Sequence, residues 1–437
     1  MQRWKIVLLS LLAILILAGI GLVRWMRPYD LETERKAARA AGIPLSAAEL
    51  RVPVPPTNEN AAAEYAALKA VRARWPLDNS AIDAVGNVGP SLAAMDARTA
   101  GALKSLINGR PDVSRLVHAA AAKPHCRFPA DLAATVGPDL LPQFAGMREC
   151  ARWIRWESVL LARNGRYVQA VKNQALGLRI ARQAAEEPAL IAYLVSLACQ
   201  AIAMQGFEDI LDIAGPNAAV ADAVRREIAA YDPGADLTRC LKGEVVFGFT
   251  RFDGISQGKL GDWWYTDPSR AVYLHWMTRL IEASRAPASQ RYRAMESVNR
   301  EMGRAMGKRP TAAVTAILMP VLPKAADRSV VASVRRTLVS GMASVLAYRA
   351  RNGRYPQTLS SAVSPVPADP YTGAPLGYFR EGSGFIVFTK PYMTAADAKD
   401  GGRRRKRESF IRYPRVRAVS SGPPMPGSPP MPGAPPQ

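Results

Sequence analysis

Histidine, cysteine and aromatic residues are scarce in this chain. Three histidines (118, 125 and 275) stand among 437 residues, and Phe, Trp and Tyr together make 7%. No H-E-x-x-H, G-x-S-x-G or glycine-rich phosphate loop occurs. That removes the usual signatures of zinc proteases, serine hydrolases and nucleotide-binding enzymes. The four cysteines, Cys126, Cys150, Cys199 and Cys240, form no C-x-x-C pair, so no metal site and no cofactor is expected. An even count leaves disulfides open in an oxidising compartment, but small thiols buried on Ala-rich helices are the favoured reading. With 49% hydrophobic residues and so few aromatics, packed helices are favoured over a β-sandwich.

Negative charge is also short. Against 58 Lys and Arg stand 36 Asp and Glu, a formal net charge of +22. Residues 401–417 supply +7 of this, from eight Lys/Arg and Glu408. Such a surface attracts anionic polymers or lipid headgroups.

Residues 6–23, IVLLSLLAILILAGIGLV, form an uncharged apolar run of 18 residues between Arg3/Lys5 and Arg24/Arg27, with Trp4 and Trp25 at its ends. At a rise of about 1.5 Å per residue it nearly crosses a ~30 Å hydrocarbon core, with aromatics at the interfaces. It exceeds the ~7–15 apolar residues of a cleaved signal. The reading is an uncleaved transmembrane anchor over residues 1–27, single-pass in the cytoplasmic (inner) membrane. Arg3, Lys5 and the terminal amine hold the short head inside, which places the body outside the cytoplasm. Arg24, Arg27, Arg35, Lys36 and Arg39 pull the other way.

Residues 28–60 read as a linker, since RVPVPPTNE (51–59) favours extended backbone. An α-helical domain of antiparallel helices is expected over 61–325. Helical spacing runs through 59–75, 90–108, 111–122 and 144–163, and resumes from Val168 to about Glu187. A further helix starts after Pro188, and others cover 268–285, 287–306 and 310–319. KPHCRFPAD (123–131) reads as a loop, and 231–275 as irregular structure laid over the helices.

The octapeptide ARNGRYVQ at 162 returns as ARNGRYPQ at 350, identical at seven of eight positions. Each Asn-Gly follows a helical stretch, and glycine there accepts the left-handed conformation that closes a last turn. After the first copy a helix resumes. After the second, Pro356 and the residues beyond it lead elsewhere: DPYTG (369–373) reads as a tight turn, and LGYF and GFIVF as a hairpin. The two copies share a terminator, not a domain.

The long helix to Asn352, GRYP (353–356), DPYTGAPLGYF (369–379), GFIVF (384–388) and Asp400-Gly401-Gly402 together resemble the C-terminal part of type II secretion major pseudopilins. The likeness covers about 75 of 437 residues and implies a pilin-like α+β module over 326–402. With the anchor and Asn58-Glu59-Asn60-Ala61-Ala62, the whole chain is similar to a group of single-pass bacterial membrane proteins. That likeness implies an architecture and no activity. The chain departs from pseudopilins in lacking their leader. It departs also at 394–408, where only Asp397 and Asp400 offer carboxylates before five consecutive cations, a poor set for calcium.

A basic, proline-rich disordered tail is expected over 403–437. Arg403, Arg404, Arg405, Lys406 and Arg407 are its candidate contacts to an anionic polymer, lipid or partner. Phe410 and Tyr413 are too few a stacking set for nucleic acid. GPPMPGSPPMPGAPP (422–436) suits an extended spacer or an aromatic groove. Trp263, Trp264, Asp262 and Asp267 are the candidate ligand-binding set, because aromatics beside acids can form a carbohydrate platform. No catalytic residue is assigned: His125-Cys126 are neighbours whose side chains diverge, and Glu186-Glu187 read as a helix end. The expected function is a non-enzymatic, membrane-anchored envelope scaffold with a protein partner. Its rival is an anchored hydrolase or carbohydrate-binding protein using residues 244–268.

Overall fold

A computed structural model describes residues 14–15, 17–19, 21, 27–50, 53–74, 91–128, 141–231, 234–254, 261–306, 311, 321–389 and 409–414. Among them the chain is 70% helix, in 14 helices, with one three-stranded antiparallel sheet near the C-terminus. Most of the 6–23 run lies outside the described residues. Those of its residues that are described are helical, and Ile14, Leu15 and Leu17 expose 61%, 68% and 67% of their surface.

The centre is a trio of helices: α5 (Leu141–Arg163), α6 (Tyr167–Ala184) and α7 (Leu190–Ala214), each packed on the other two. The first terminator glycine, Gly165, has φ +76. The Gly165 amide donates to the Ala162 carbonyl at 2.9 Å and the Arg166 amide to that of Leu161 at 3.0 Å, a Schellman closure. Small residues set the crossing of α6 and α7. A Cβ on Gly177 would meet Ala203 at 3.3 Å, and one on Gly206 would meet Gln174 at 2.3 Å.

Onto this trio pack α2 (Ala62–Arg74), α3 (Ala97–Asn108) and α4 (Pro111–Ala122) on one side, with α8 (Ala218–Ala229) and the long α12 (Val321–Asn352) on the other. A second apolar cluster joins α1 (Leu31–Ala40), α9 (Gly234–Asp253), α10 (Asp267–Ser284) and α11 (Ala288–Met306). It borrows Tyr193 and Leu197 from α7 and Ala326 and Ala332 from α12. Two helices, Leu190–Ala214 and Ala325–Asn352, are long and apolar enough to cross a membrane, with mean hydropathies of 1.6 and 1.3. Here they are the central struts, 61% and 67% buried within the fold.

Three expectations are corrected. Residues 231–275 are not irregular over their described part. Leu237, Leu241, Val245, Phe249 and Phe252 recur at helical spacing and are buried in α9. Gly243 and Gly248 within it are contact points. A Cβ on Gly248 would lie 2.4 Å from the Tyr273 ring.

The linker reading of 28–60 fails at 31–40, which form α1. Asp30 caps it by accepting from the Thr33 amide at 2.9 Å, and Ala38, Ile43 and Leu45 are buried. That hydrogen bond also holds the Asp30 carboxyl below its usual range.

The expected hairpin forms, and the disordered reading of the tail is corrected at 410–413, which add a third strand to it. β1 (Gly377–Glu381) and β2 (Gly384–Phe388) are joined by β3 (Phe410–Tyr413), which pairs antiparallel with β2. Tail residues 410–413 are therefore structured. Ile411 explains why: it is 3% exposed and belongs to the large cluster with Phe385 and Val387.

The second terminator glycine, Gly353, has φ +71 and closes α12 by donating to the Arg349 carbonyl at 3.0 Å. The chain then runs extended through Tyr355 and past the short α13 (Leu359–Ala362) to the DPYTG turn. There the buried Asp369 accepts from the Tyr371 amide at 3.0 Å and the Thr372 hydroxyl at 2.8 Å. Apolar residues of α12 and of the sheet share one continuous cluster with α5–α8.

Candidate functional site

The α6–α7 connection and the segment 123–128 meet in a small polar constellation. Residues 123–128, expected as a loop, are laced onto 57–61. The Ala61 amide donates to the His125 carbonyl at 2.8 Å and the His125 amide to that of Glu59 at 3.1 Å. The Asn60 side chain spans the Arg127 backbone, donating to its carbonyl and accepting from its amide, each at 2.9 Å.

This lacing aims three consecutive side chains in three directions. His125 Nδ1 lies 2.9 Å from Glu186 Oε1, while the Cys126 amide donates to Glu186 Oε2 at 2.9 Å. The Cys126 thiol turns into the core, where burial pushes it far above its ordinary value. Arg127 donates to the Glu186 carbonyl at 2.9 Å and pairs with Glu187 at 3.3 Å, both side chains being almost wholly buried. Burial raises the Glu187 carboxyl, and Arg127 opposes this without cancelling it.

An open cleft of about 440 Å³ lies over the constellation, lined by Pro53, Val54, Pro55, Pro56, Glu59, His125, Arg127, Glu186 and Arg239. Proline lacks an amide hydrogen, so this wall offers carbonyls and apolar rings. The rest of the lining is Glu59, a histidine oriented by the Glu186 carboxylate, and two engaged arginines, Arg127 paired with Glu187 and Arg239 with Asp236 and the Ala185 carbonyl. Such a cleft has the size and mixed lining to take a small polar or amphipathic ligand.

His125-Cys126 is confirmed as a pair of diverging neighbours. The sequence singles out His125 and Glu186 separately and gives no sign that they meet. Their 61-residue separation leaves no local signal, and the Asn60 lacing together with the Cys126 and Arg127 bonds to Glu186 holds them in contact.

The other histidines serve as ties between elements. His118 Nε2 of α4 lies 2.7 Å from Glu157 of α5, which also accepts from Ser114 and Trp153. His275 of α10 sits 3.1 Å from Glu34 of α1 and stacks on Tyr29, centroids 3.9 Å apart. Asp30 followed by Glu32 and Glu34 is a helix-start signal that could have revealed α1.

Asp262 opens a π-helical turn, Asp262–Thr266, directly before α10, and Asp267 begins that helix. Asp267 and Asp253 converge on Arg270, at 3.1 and 2.6 Å. The side chains of Trp263 and Trp264 lie outside the described residues, as do Arg403, Arg404, Arg405, Lys406 and Arg407. Among the described residues, no three of His, Cys, Asp or Glu gather as metal ligands. The chain matches no protein-family model, no curated protein and no solved structure.

Proposed function

We propose that this chain is a single-pass, membrane-anchored scaffold of the cell envelope that binds a partner instead of catalysing a reaction. The observation that carries the reading is the docking of α1. An apolar run with exposed helical Ile14, Leu15 and Leu17 leads within ten residues to a helix fastened to the body. The fastening consists of the Tyr29–His275 stack, the Glu34–His275 contact and an Arg285 bond to the Ala41 carbonyl at 2.6 Å. A body joined this closely has a restricted orientation over the bilayer, which suits a scaffold. Its net charge of +22 favours the anionic headgroups beside it. The likeness to pseudopilins adds an envelope setting, with the helix–turn–strand order of 326–388 in support.

Three measurements test this. The chain should resist alkaline extraction from membranes, alkaline phosphatase fused after Ser420 should be active, and a detergent pull-down should recover a stoichiometric partner. A freely soluble chain trimmed of residues 6–23 would refute the anchor. A silent phosphatase would reverse the orientation, and a pull-down containing the bait alone would remove the scaffold role.

A second reading, a small-ligand site, is favoured by the cleft over His125 and Glu186. It requires that Arg239→Ala weaken a ligand found by thermal-shift screening, and an unaffected ligand would move the site elsewhere. The rival use of 244–268 has less support, since residues 244–253 belong to α9 and Asp253 and Asp267 are both engaged by Arg270.

A further inference from the structure

The sheet has an aromatic face that the core does not use. In the β1–β2–β3 register, Phe385 and Val387 of β2 share the inner face with Tyr378, Ile411 and Tyr413. Val387 there lies against Gly341 of α12. The alternate residues point outward. Ile386 stands between Phe379 and Arg412, and Phe388 between Gly377 and Phe410.

Phe379 and Phe410 are 47% and 50% exposed. Ile386 is only 6% exposed and lies outside both large apolar clusters. The rings of Phe379 and Phe388 meet edge-on at 5.7 Å, and the Arg412 guanidinium lies 6.0 Å from the Phe410 ring. Gly377 makes room for this arrangement, since a Cβ there would lie 2.3 Å from the Phe388 ring. Three phenylalanines and the Arg412 side chain thus form a ridged surface around the buried Ile386, rimmed by the Arg412–Glu381 ion pair at 2.8 Å.

The chain that leaves β3 carries a matching ligand. Pro423, Pro426, Pro429, Pro432 and Pro435 recur every third residue. A polyproline II helix has three residues per turn, so these five prolines line one edge of it without any side chain of another kind interrupting. Such edges dock on exposed aromatic faces, and the preformed helix loses little entropy in doing so. Residues 415–422 separate Pro414 from the first of the five, and eight extended residues span up to about 28 Å. Three strands spaced about 4.8 Å apart make a face roughly 10 Å across. The segment therefore reaches any point of the face from where β3 ends.

We propose that the proline-rich segment 422–436 of this chain docks in cis, as a polyproline II helix, on the outer sheet face of Phe379, Phe388 and Phe410. The inference does not depend on the anchor or on the scaffold reading.

The test compares the full chain with one ending at Arg417, using a fluorescent peptide GPPMPGSPPMPGAPP as probe. The shortened chain should bind the peptide saturably, and the full chain at least tenfold more weakly because its own segment competes. A peptide with serine at the five period-three prolines should lose at least tenfold, a control that leaves the protein's fold untouched. Phe379→Ser with Phe410→Ser should lose as much, while hydrogen exchange at Val387 and Ile411 reports whether the sheet remains intact. Equal binding by both chains, or no binding by either, overturns the proposal. So does competition by the full chain that appears only at concentrations where it dimerises, which would make the occupant a second copy. Phe379- and Phe410-dependent binding of anionic vesicles by the shortened chain, without peptide binding, would assign the face to the membrane instead.

Discussion

Gly243 of α9 faces the backbone of Pro188 so closely that a Cβ there would stand 1.6 Å from the Pro188 carbonyl oxygen. The contact joins α9 to the start of α7, and the Leu190 amide donates to Glu244 Oε1 at 2.8 Å beside it. Neither backbone can retreat without breaking that bond. Gly243→Ala should therefore destabilise the fold by about 2–3 kcal/mol or more, the usual range for overpacking a tight contact. Gly303→Ala is the control, because nothing lies within 4 Å of its added methyl. It should stabilise α11 by about 0.5–1 kcal/mol through helix propensity. Urea unfolding of both variants, followed by helical circular dichroism, gives the comparison.

Asp209 is fully buried on α7 and pairs with Arg155 of α5 at 2.8 Å, while accepting from the Leu92 amide at 3.0 Å. Removing it takes the carboxylate from a largely buried guanidinium, which keeps its bond to Gln205 at 2.8 Å, and the acceptor from a backbone donor. Asp209→Ala should cost about 3–5 kcal/mol, the range for breaking one side of a buried ion pair. The companion Arg155→Met with Asp209→Leu should recover part of that loss. If the double variant is no more stable than the single one, the stranded charge is not the cause.

Stability should fall with rising pH near neutrality, through His118. Its hydrogen bond to Glu157 raises its pKa from the ordinary value of 6.5, with burial opposing. The folded state thus holds this proton more tightly than the unfolded chain. The stabilisation is complete below about pH 6.5 and is lost as pH climbs through the folded-state pKa. Proton NMR titration should place His118 above 6.5, and Glu157→Gln should return it toward that value and flatten the stability profile. A His118 titration at or below 6.5 in the native chain would count against the pair as drawn.

All four cysteines are free and buried. Burial raises the Cys126, Cys150 and Cys240 thiols well above their ordinary range. The native chain should leave Ellman's reagent almost unreacted, and all four thiols should react in guanidinium. Fewer than four under denaturing, non-reducing conditions would reveal a disulfide.

Periodicity carried the sequence reading where one face of an element decides its fate. Helices 111–122, 144–163 and 268–285 fall within a few residues of α4, α5 and α10. Both Asn-Gly terminators close helices, because a left-handed glycine is a local requirement. Local signals misled where the deciding contact is distant. The stretch 231–275 reads as irregular, because its Gly243 and Gly248 make sense in a helix only once Pro188 and Tyr273 are known to lie against them. Phe410 to Tyr413 look like part of a charged tail until Ile411 is seen filling a gap beside Val387. The cleft was least legible, since Pro53–Pro56, His125, Glu186 and Arg239 come from four separated places in the chain.

The arrival of β3 from the far side of residues 390–408 fixes an order of events during biosynthesis. Until residue 413 is available to fold, β2 is paired on one side only and the place of Ile411 beside Val387 stays open. A bare strand edge beside unfilled apolar surface invites pairing with other nascent chains. Crowding, chaperone supply and the delay between the synthesis of β2 and of β3 should therefore govern how much of this protein survives to reach its native state.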